Sequence, residues 1–334
     1  MSETEITAVI GAGSWGTALA RVLRDNGHEV RLWSCIDSEI EMLRQHHMQM
    51  EKLPGVLLPA GIVYTTDMRE AMADASVIVL AVPSPFTRST AGQMAAFYEK
   101  GQIIVSVAKG IEDETYLTLT EIIEEEIPGA VVCALSGPSH AEEVVRQMPT
   151  TVVAASPDQE IAERVQGVFM NQVFRVYTSQ DRLGVELGGA LKNVIALAAG
   201  IADGLGYGDN CKAALMTRGI HEMAHLAICL GAKPETLSGL SGMGDLIVTC
   251  TSQHSRNRKA GYLIGQGKTA DEAMKEVSQI VEGVYAAKAA RHLAERSGVE
   301  MPIVEQVNQV LFDKKDPRQA VGELMMRERK PETL

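Results

Sequence analysis

Over the first 180 residues, short β-branched runs alternate with helical stretches. The runs Ile6–Ile10, Glu29–Trp33, Val77–Ala81, Ile103–Val107, Val131–Leu135, Thr151–Ala155 and Val173–Tyr177 read as strands, and Gly- or Pro-containing turns follow several of them. Strands spaced by helices are the pattern of a parallel sheet covered on both faces. From about Asp181 the pattern changes to Ala- and Gly-rich helical segments. There Leu187, Leu191, Val194, Ile195 and Ala198 recur at helical spacing, which predicts an amphipathic helix packed at a domain junction. The expected organisation is therefore α/β, with a doubly wound sheet over residues 1–180 and an all-α domain over 181–334. No internal repeat or low-complexity tract interrupts it, and the charged tail from Arg327 to Leu334 is expected to fray.

Composition narrows the function. A chain of 334 residues, 46% apolar and 22% charged, has the make-up of an ordinary globular protein with room for two domains. Its formal charge of -12 would repel nucleic-acid phosphates, and no basic or aromatic stripe offsets that. An anionic small substrate would need a local cationic pocket against this field. Cys35, Cys133, Cys211, Cys229 and Cys250 are odd in number and scattered, so they read as free thiols in a reducing compartment. The acidic start Met1-Ser-Glu-Thr-Glu5 runs straight into a strand, unlike a secretory leader. The most apolar stretch, Leu187–Ala202, is interrupted by Lys192 and Asn193 and reads as too short to span a bilayer. A cytoplasmic location is expected.

The first strand runs into Gly11-Ala-Gly13-Ser-Trp-Gly16 and then a helical pattern. A bare GxGxxG is a common turn. After a strand and opening a helix, it is the fingerprint of a Rossmann dinucleotide-binding fold. Gly11 permits the tight turn, Gly13 lets backbone approach a pyrophosphate, and Gly16 lets helix and strand pack closely. The helix N-terminus offers N–H groups and a positive dipole end to the phosphates. The acidic residue that would bind the ribose hydroxyls is missing after the second strand, where Ser34 and Cys35 stand. No arginine replaces it, since Arg31 lies within the strand, so the choice between NAD and NADP stays open.

Ligands of such sheets bind beyond the carboxyl ends of the strands. Ala81-Val-Pro-Ser84, Val107-Ala-Lys109-Gly110 and Leu135-Ser-Gly137-Pro-Ser139 are such ends, and Lys109, Gly137 and Ser139 are their candidate binding residues. His221-Glu-Met-Ala-His225 satisfies HExxH, the zinc-protease helix motif. No third ligand is evident in the sequence, and a nucleotide-binding half has no part in zinc proteolysis, so an ordinary helix face is expected and no metal. A denser cluster follows. Lys192-Asn193 interrupts an apolar helix face, Leu240-Ser-Gly-Met-Gly-Asp245 is a glycine-rich turn ending in a carboxylate, and Ser255-Arg-Asn-Arg258 follows the polar loop Thr249–His254. A lysine among apolar neighbours costs stability unless paired or functional, and such a lysine suits acid/base work. Ser255, Arg256 and Asn257 supply a hydroxyl, a planar cation and an amide, all suited to phosphate oxygens.

With these residues in place, nearly the whole chain resembles the bacterial-type NAD(P)H-dependent glycerol-3-phosphate dehydrogenases. The resemblance rests on Gly11–Ala20, Leu135–Val144, Leu191–Leu205, Gly242–Ser252 with Ser255–Arg258, and Val281-Glu-Gly283, in that order. It implies interconversion of dihydroxyacetone phosphate and sn-glycerol 3-phosphate with NADPH or NADH, supplying glycerophospholipid synthesis. By matching positions it implies Lys192 as the catalytic proton donor and acceptor; on the chemistry of the pair, Asp245 would orient it and hold it charged. Lys109, Gly137, Ser139, Asp245, Ser255, Arg256 and Asn257 would contact substrate. Ser14, Trp15, Lys109, Ala141, Arg256, Ile280 and Glu282, with the three fingerprint glycines, would contact the cofactor. The chain departs from the family's usual pattern at Ser34-Cys35, where a basic residue is common, and at Lys52, where an aromatic is common. Rival readings are a ketopantoate reductase or 3-hydroxyacyl dehydrogenase, against which the Ser255–Arg258 stretch argues, and a dinucleotide sensor, against which the Lys192/Asp245 pair argues. The oligomeric state is left open, and a homodimer through the helical half is compatible with the sequence.

Overall fold

The structure, a computed structural model, describes residues 4–329 and 331–332. The readings of the first three residues as part of a non-leader, and of Lys330, Thr333 and Leu334 as frayed, lie outside the described residues. The chain folds into two compact units, one running up to Lys109 and resuming over Leu117–Arg182, the other made of Gly110–Tyr116 and the chain from Leu183 onward.

The first unit is an eight-stranded sheet: β1 (Ile6–Ile10), β2 (Glu29–Trp33), β3 (Ile62–Thr65), β4 (Val77–Leu80), β5 (Ile103–Ser106), β6 (Val131–Ser136), β7 (Thr150–Ala155) and β8 (Phe174–Ser179). Its order is β3-β2-β1-β4-β5-β6-β7-β8. The first six strands are parallel and follow the Rossmann order, with the switch point between β1 and β4. Then β7 pairs antiparallel with β6, and β8 runs parallel to β7. The strands alternate their side chains between two buried layers. Val9, Leu32, Val79 and Val105 enter one core; Ala8, Ile10, Ile78 and Ile104 enter the other. Helix α1 (Ser14–Asp25) follows β1, and α2 (Asp37–His46) follows β2.

The second unit is helical. Its central helix, α3 (Arg182–Gly204), is 23 residues long and apolar enough to cross a bilayer by length and composition. The apolar stretch Leu187–Ala202 is thus only the middle of a longer helix. Burial, not length, describes the helix, because 94% of its most apolar window lies inside the protein. Around it lie α4 (Asp209–Cys229), α5 (Asp245–Thr251), α6 (Arg256–Gly265), α7 (Glu282–Ser297) and α8 (Pro302–Phe312). Glycine sets the spacing of α3 and α6. A Cβ at Gly200 or Gly204 would overlap the carbonyl oxygens of Arg258 or Tyr262, and one at Gly261 or Gly265 would overlap those of Leu197 or Ile201. The two backbones therefore touch along four glycines.

Candidate active site

In the sheet unit, the glycine turn has the shape that a dinucleotide phosphate requires. Gly11 sits at φ +118°, where an L side chain is strained, and its Cβ would lie 2.9 Å from the Ala81 carbonyl at the end of β4. A Cβ at Gly16 would overlap the Gly11 carbonyl oxygen, which keeps α1 close against β1. At Gly13 a Cβ would meet nothing within 4 Å, so the chain leaves open space at that position. Gly13 is also the N-cap of α1, and no side chain caps that end, so the N–H groups of Ser14, Trp15 and Gly16 present a positive helix terminus. This cradle fits a pyrophosphate.

Lys109, Gly137 and Ser139 are brought together. Lys109 Nζ donates to the Gly137 carbonyl at 2.8 Å, and Ser139 Oγ donates to the same oxygen at 2.9 Å. Gly137 has φ +136°, and its Cβ would press on Val152 Cα at 3.0 Å, so only glycine allows β6 to turn there. Ala141, buried, opens the short helix Ala141–Val144 immediately afterwards.

In the helical unit, Lys192 and Asp245 meet. Lys192, 5% exposed, donates from Nζ to Asp245 Oδ1 at 2.8 Å and to Thr249 Oγ1 at 2.7 Å, and Asp245 is 1% exposed. Thr249 Oγ1 in turn donates to the Asp245 carbonyl at 2.6 Å. Burial of a lone ammonium or carboxylate would be prohibitive, so each charge depends on the other for its place. The local fold explains the meeting. Leu240–Gly244 forms a π-helical turn, and a Cβ at Gly188 would lie 2.7 Å from the Ser241 carbonyl. The turn thus rests on α3 one helical turn before Lys192 and delivers Asp245 to it.

The polar stretch Thr249–His254 does not begin as a loop. Thr249 lies on α5, four residues after Asp245 and on the same face. That i, i+4 spacing is the signal in the sequence that places it beside Asp245.

Asn193 Oδ1 accepts from Asn257 Nδ2 at 2.8 Å, and Asn257 Oδ1 accepts from the Gly283 N–H at 2.9 Å. The Asn257 amide therefore joins α3 to the start of α7. Ser255, Arg256 and Asn257 form the N-terminus of α6, with Ser255 Oγ accepting from the Arg258 N–H at 3.2 Å. Arg256 is exposed and reaches Gln279 at 3.4 Å. Ile280 and Glu282 flank Val281 at the start of α7, where a Cβ at Gly283 would lie 2.6 Å from the Asn193 carbonyl. Arg258, grouped in sequence with the phosphate-binding stretch, has a different task. It holds Asp203 at 2.6 Å, and Lys212 holds the same carboxylate at 2.8 Å.

The HExxH stretch lies on α4. Glu222 points away from metal chemistry, accepting from the backbone N–H groups of Ile303 at 2.9 Å and Val304 at 3.3 Å at the start of α8. Among the described residues, no three His, Cys, Asp or Glu side chains are grouped to hold a metal ion. Burial pushes the Glu222 carboxyl up from 4.5 to about 7, against the opposing pull of those N–H groups and of Arg327 and Arg218. The folded state thus holds this proton more tightly than the unfolded chain. Stability present below the unfolded value is lost as pH rises from about 4.5 to 7, by on the order of 3 kcal/mol. Glu222→Gln should flatten the fall in melting temperature between pH 5 and pH 8; melting curves with parallel pH slopes for the two proteins would contradict this.

Comparison with known proteins decides the family. Residues 6–162 match the N-terminal part of the family described as NAD-dependent glycerol-3-phosphate dehydrogenase, and residues 181–322 match its C-terminal part. The chain belongs to this family. The glycerol-3-phosphate dehydrogenase (NAD(P)+) of Agathobacter rectalis is 64% identical over 324 residues, covering 97% of this chain and 96% of the relative. The enzyme of that name from Fusobacterium nucleatum is 54% identical over 327 residues, covering 97% and 98%. A crystal structure of glycerol-3-phosphate dehydrogenase from Coxiella burnetii superimposes with a TM-score of 0.93 at 38% identity, covering 97% of this chain and 99% of that one. A ketopantoate reductase from Ralstonia eutropha shares the fold alone, at 15% identity and a TM-score of 0.62 over 96% of this chain and 99% of its own. The family resemblance drawn from the sequence motifs is thereby confirmed, as are the Rossmann sheet and helical C-terminal half of a glycerol-3-phosphate dehydrogenase.

Proposed function

We propose that this glycerol-3-phosphate dehydrogenase reduces dihydroxyacetone phosphate to sn-glycerol 3-phosphate with NADPH or NADH, feeding glycerophospholipid synthesis. The buried Lys192–Asp245–Thr249 cluster, one residue along α3 from the Asn193–Asn257 link to the start of α6, carries this reading. The bound dinucleotide supplies the hydride. Lys192 Nζ gives a proton to the oxygen of the reduced carbonyl and recovers one from solvent afterwards. Asp245 holds Lys192 as an ammonium and, with Thr249, fixes the direction of its N–H bonds. In the reverse direction Lys192 takes the proton back.

The N-terminus of α6 is assigned to the substrate phosphate, with Ser255, Arg256 and Asn257 as its contacts, so that binding energy remote from the carbonyl positions it. In the sheet unit we assign Gly11, Gly13, Ser14, Trp15, Gly16 and Ala141 to the dinucleotide, and Gly137 and Ser139 to substrate. Lys109 is assigned to both. In the helical unit Arg256, Ile280 and Glu282 are assigned to the dinucleotide. Residues 1–180, apart from the strip Gly110–Tyr116 that groups with the helical unit, are assigned as the dinucleotide-binding domain, and 181–334 as the substrate and catalytic domain. The enzyme works in the cytoplasm, on a small phosphorylated triose and with neither nucleic acid nor membrane as partner, and a homodimer through its helical half is compatible with this reading.

Oxidation of NADH and of NADPH, each dependent on dihydroxyacetone phosphate, tests the assignment on one preparation; tight dinucleotide binding with neither oxidised would point to a different substrate or to a sensor instead. Arg256→Ala should raise KM for dihydroxyacetone phosphate about 10- to 100-fold, because a charge-assisted contact to phosphate is lost, with a smaller effect on kcat. An unchanged KM would remove Arg256 from the phosphate site.

A further inference from the structure

The end of β2 is where a dinucleotide-binding fold distinguishes a ribose hydroxyl from a 2′-phosphate. Here that end is tied to the glycine turn, since the Gly11 N–H donates to the Trp33 carbonyl at 2.9 Å. The next residue, Ser34, offers no charge of its own. Its Oγ donates at 2.6 Å to Oε2 of Glu39, on α2, and Glu39 is 6% exposed. The other oxygen of Glu39 pairs with Lys52 Nζ. Lys52 is fixed to the same turn through its backbone. The buried amide of Gln49 donates to the Ala12 carbonyl at 2.9 Å and accepts from the N–H groups of Glu51 and Lys52, each at 3.2 Å. The carboxylate expected at the strand end is therefore present, but it comes from the following helix, lies behind Ser34 and is matched by an ammonium whose side chain is 33% exposed.

We propose that the Glu39–Lys52 pair sets which dinucleotide this enzyme accepts, with Lys52 receiving the 2′-phosphate of NADP(H) and Glu39 acting as its positioning residue. This rests on the assignment of the glycine turn to the dinucleotide. A bare carboxylate at the strand end would repel a 2′-phosphate, and a bare ammonium would strongly favour one. The pair is neutral, so it repels neither cofactor, while the exposed side of Lys52 still supplies a cation to a phosphate that approaches it. The enzyme should then bind both cofactors. The preference should depend on charge at position 52, because removing Lys52 leaves the Glu39 carboxylate uncompensated beside the ribose site.

Equilibrium titration of nicotinamide fluorescence with NADPH and NADH tests this without turnover. Lys52→Met should weaken NADPH by about tenfold while changing NADH by less than about twofold. Lys52→Arg should keep the parent ratio, and Glu39→Gln should tighten NADPH several-fold relative to NADH. The same ordering should appear for 2′,5′-ADP against 5′-ADP as competitors. Parallel melting curves show that each variant is folded, and the shift expected of Glu39→Gln carries the test if Lys52→Met is not. Equal weakening of both cofactors in Lys52→Met, or an unchanged ratio across all three variants, would overturn the proposal while leaving the proposed function standing. Failure of the parent enzyme to bind either dinucleotide would overturn both.

Discussion

Lys192→Ala should lower turnover by about a thousandfold or more while dinucleotide binding survives, because general acid/base catalysis by one positioned group contributes about 10²–10⁴. The substitution also leaves Asp245, 1% exposed, without its ammonium, and an uncompensated buried carboxylate costs about 3–5 kcal/mol. Loss of activity could therefore be confused with loss of fold. The double variant Lys192→Met with Asp245→Asn separates the two, since it removes both charges and keeps an acceptor for the neighbouring polar groups. Its melting temperature should recover toward that of the parent, whereas its turnover should stay as low as that of Lys192→Ala. Recovery of turnover in the double variant, or near-normal turnover in Lys192→Ala, would remove the lysine from the proton-transfer step.

The second large effect is expected from a single methyl group. Gly200→Ala places a Cβ onto the Arg258 carbonyl oxygen, a backbone atom that can retreat only if α6 moves as a whole. Overpacking of this kind costs about 3 kcal/mol, and for a unit of this size it should lower the melting temperature by about 6 °C or more. The displacement would also draw the start of α6, with Ser255 and Asn257, away from Asn193 on α3, so activity should fall with stability. Gly167→Ala is the matched control. It lies in the helix Gln159–Phe169, a Cβ there meets nothing within 4 Å, and the higher helix propensity of alanine should leave stability unchanged or raise it by about 0.5–1 kcal/mol. If both variants melt alike, close backbone contact between α3 and α6 does not govern this unit.

The sequence is informative where one residue type has one physical reason to be present. The Gly11–Gly16 turn is legible because its three glycines are required by backbone geometry at fixed spacing, and Lys192 because a charge on an apolar face demands a partner. Strand direction is not legible. The run Thr151–Ala155 marks β7 well, yet nothing in a β-branched run tells that β7 pairs antiparallel with β6. The strand β3 goes unmarked because, at the edge of the sheet, Ile62–Thr65 ends in Tyr-Thr, unlike the wholly aliphatic run of the equally short β4. Helix α5 is hidden for a different reason. Thr249, Cys250 and Thr251 are modest helix formers beside a polar stretch, and tertiary packing of Leu246 and Cys250 overrides that weak local preference. With α5 taken as loop, Thr249 has no reason to sit beside Lys192. Arg258 is misgrouped with the phosphate stretch because its carboxylate partner, Asp203, is 55 residues away along the chain.

The segment Gly110–Tyr116 belongs to the helical unit although the sheet unit flanks it on both sides. Ile111 is buried in the helical core, the Tyr116 ring stacks on His292 with centroids 3.9 Å apart, and Asp113 faces Lys288 at 3.6 Å. The polypeptide therefore passes from one unit to the other three times, after Lys109, after Tyr116 and after Arg182. The two halves are not beads on a string that recombination could exchange with a single cut. A chimera joined only at residue 182 would inherit a foreign strip in the middle of its helical core, so grafting this catalytic half onto another nucleotide-binding half requires three matched junctions. Swaps within the family, where the strip and its sockets travel together, are the exchanges this architecture permits.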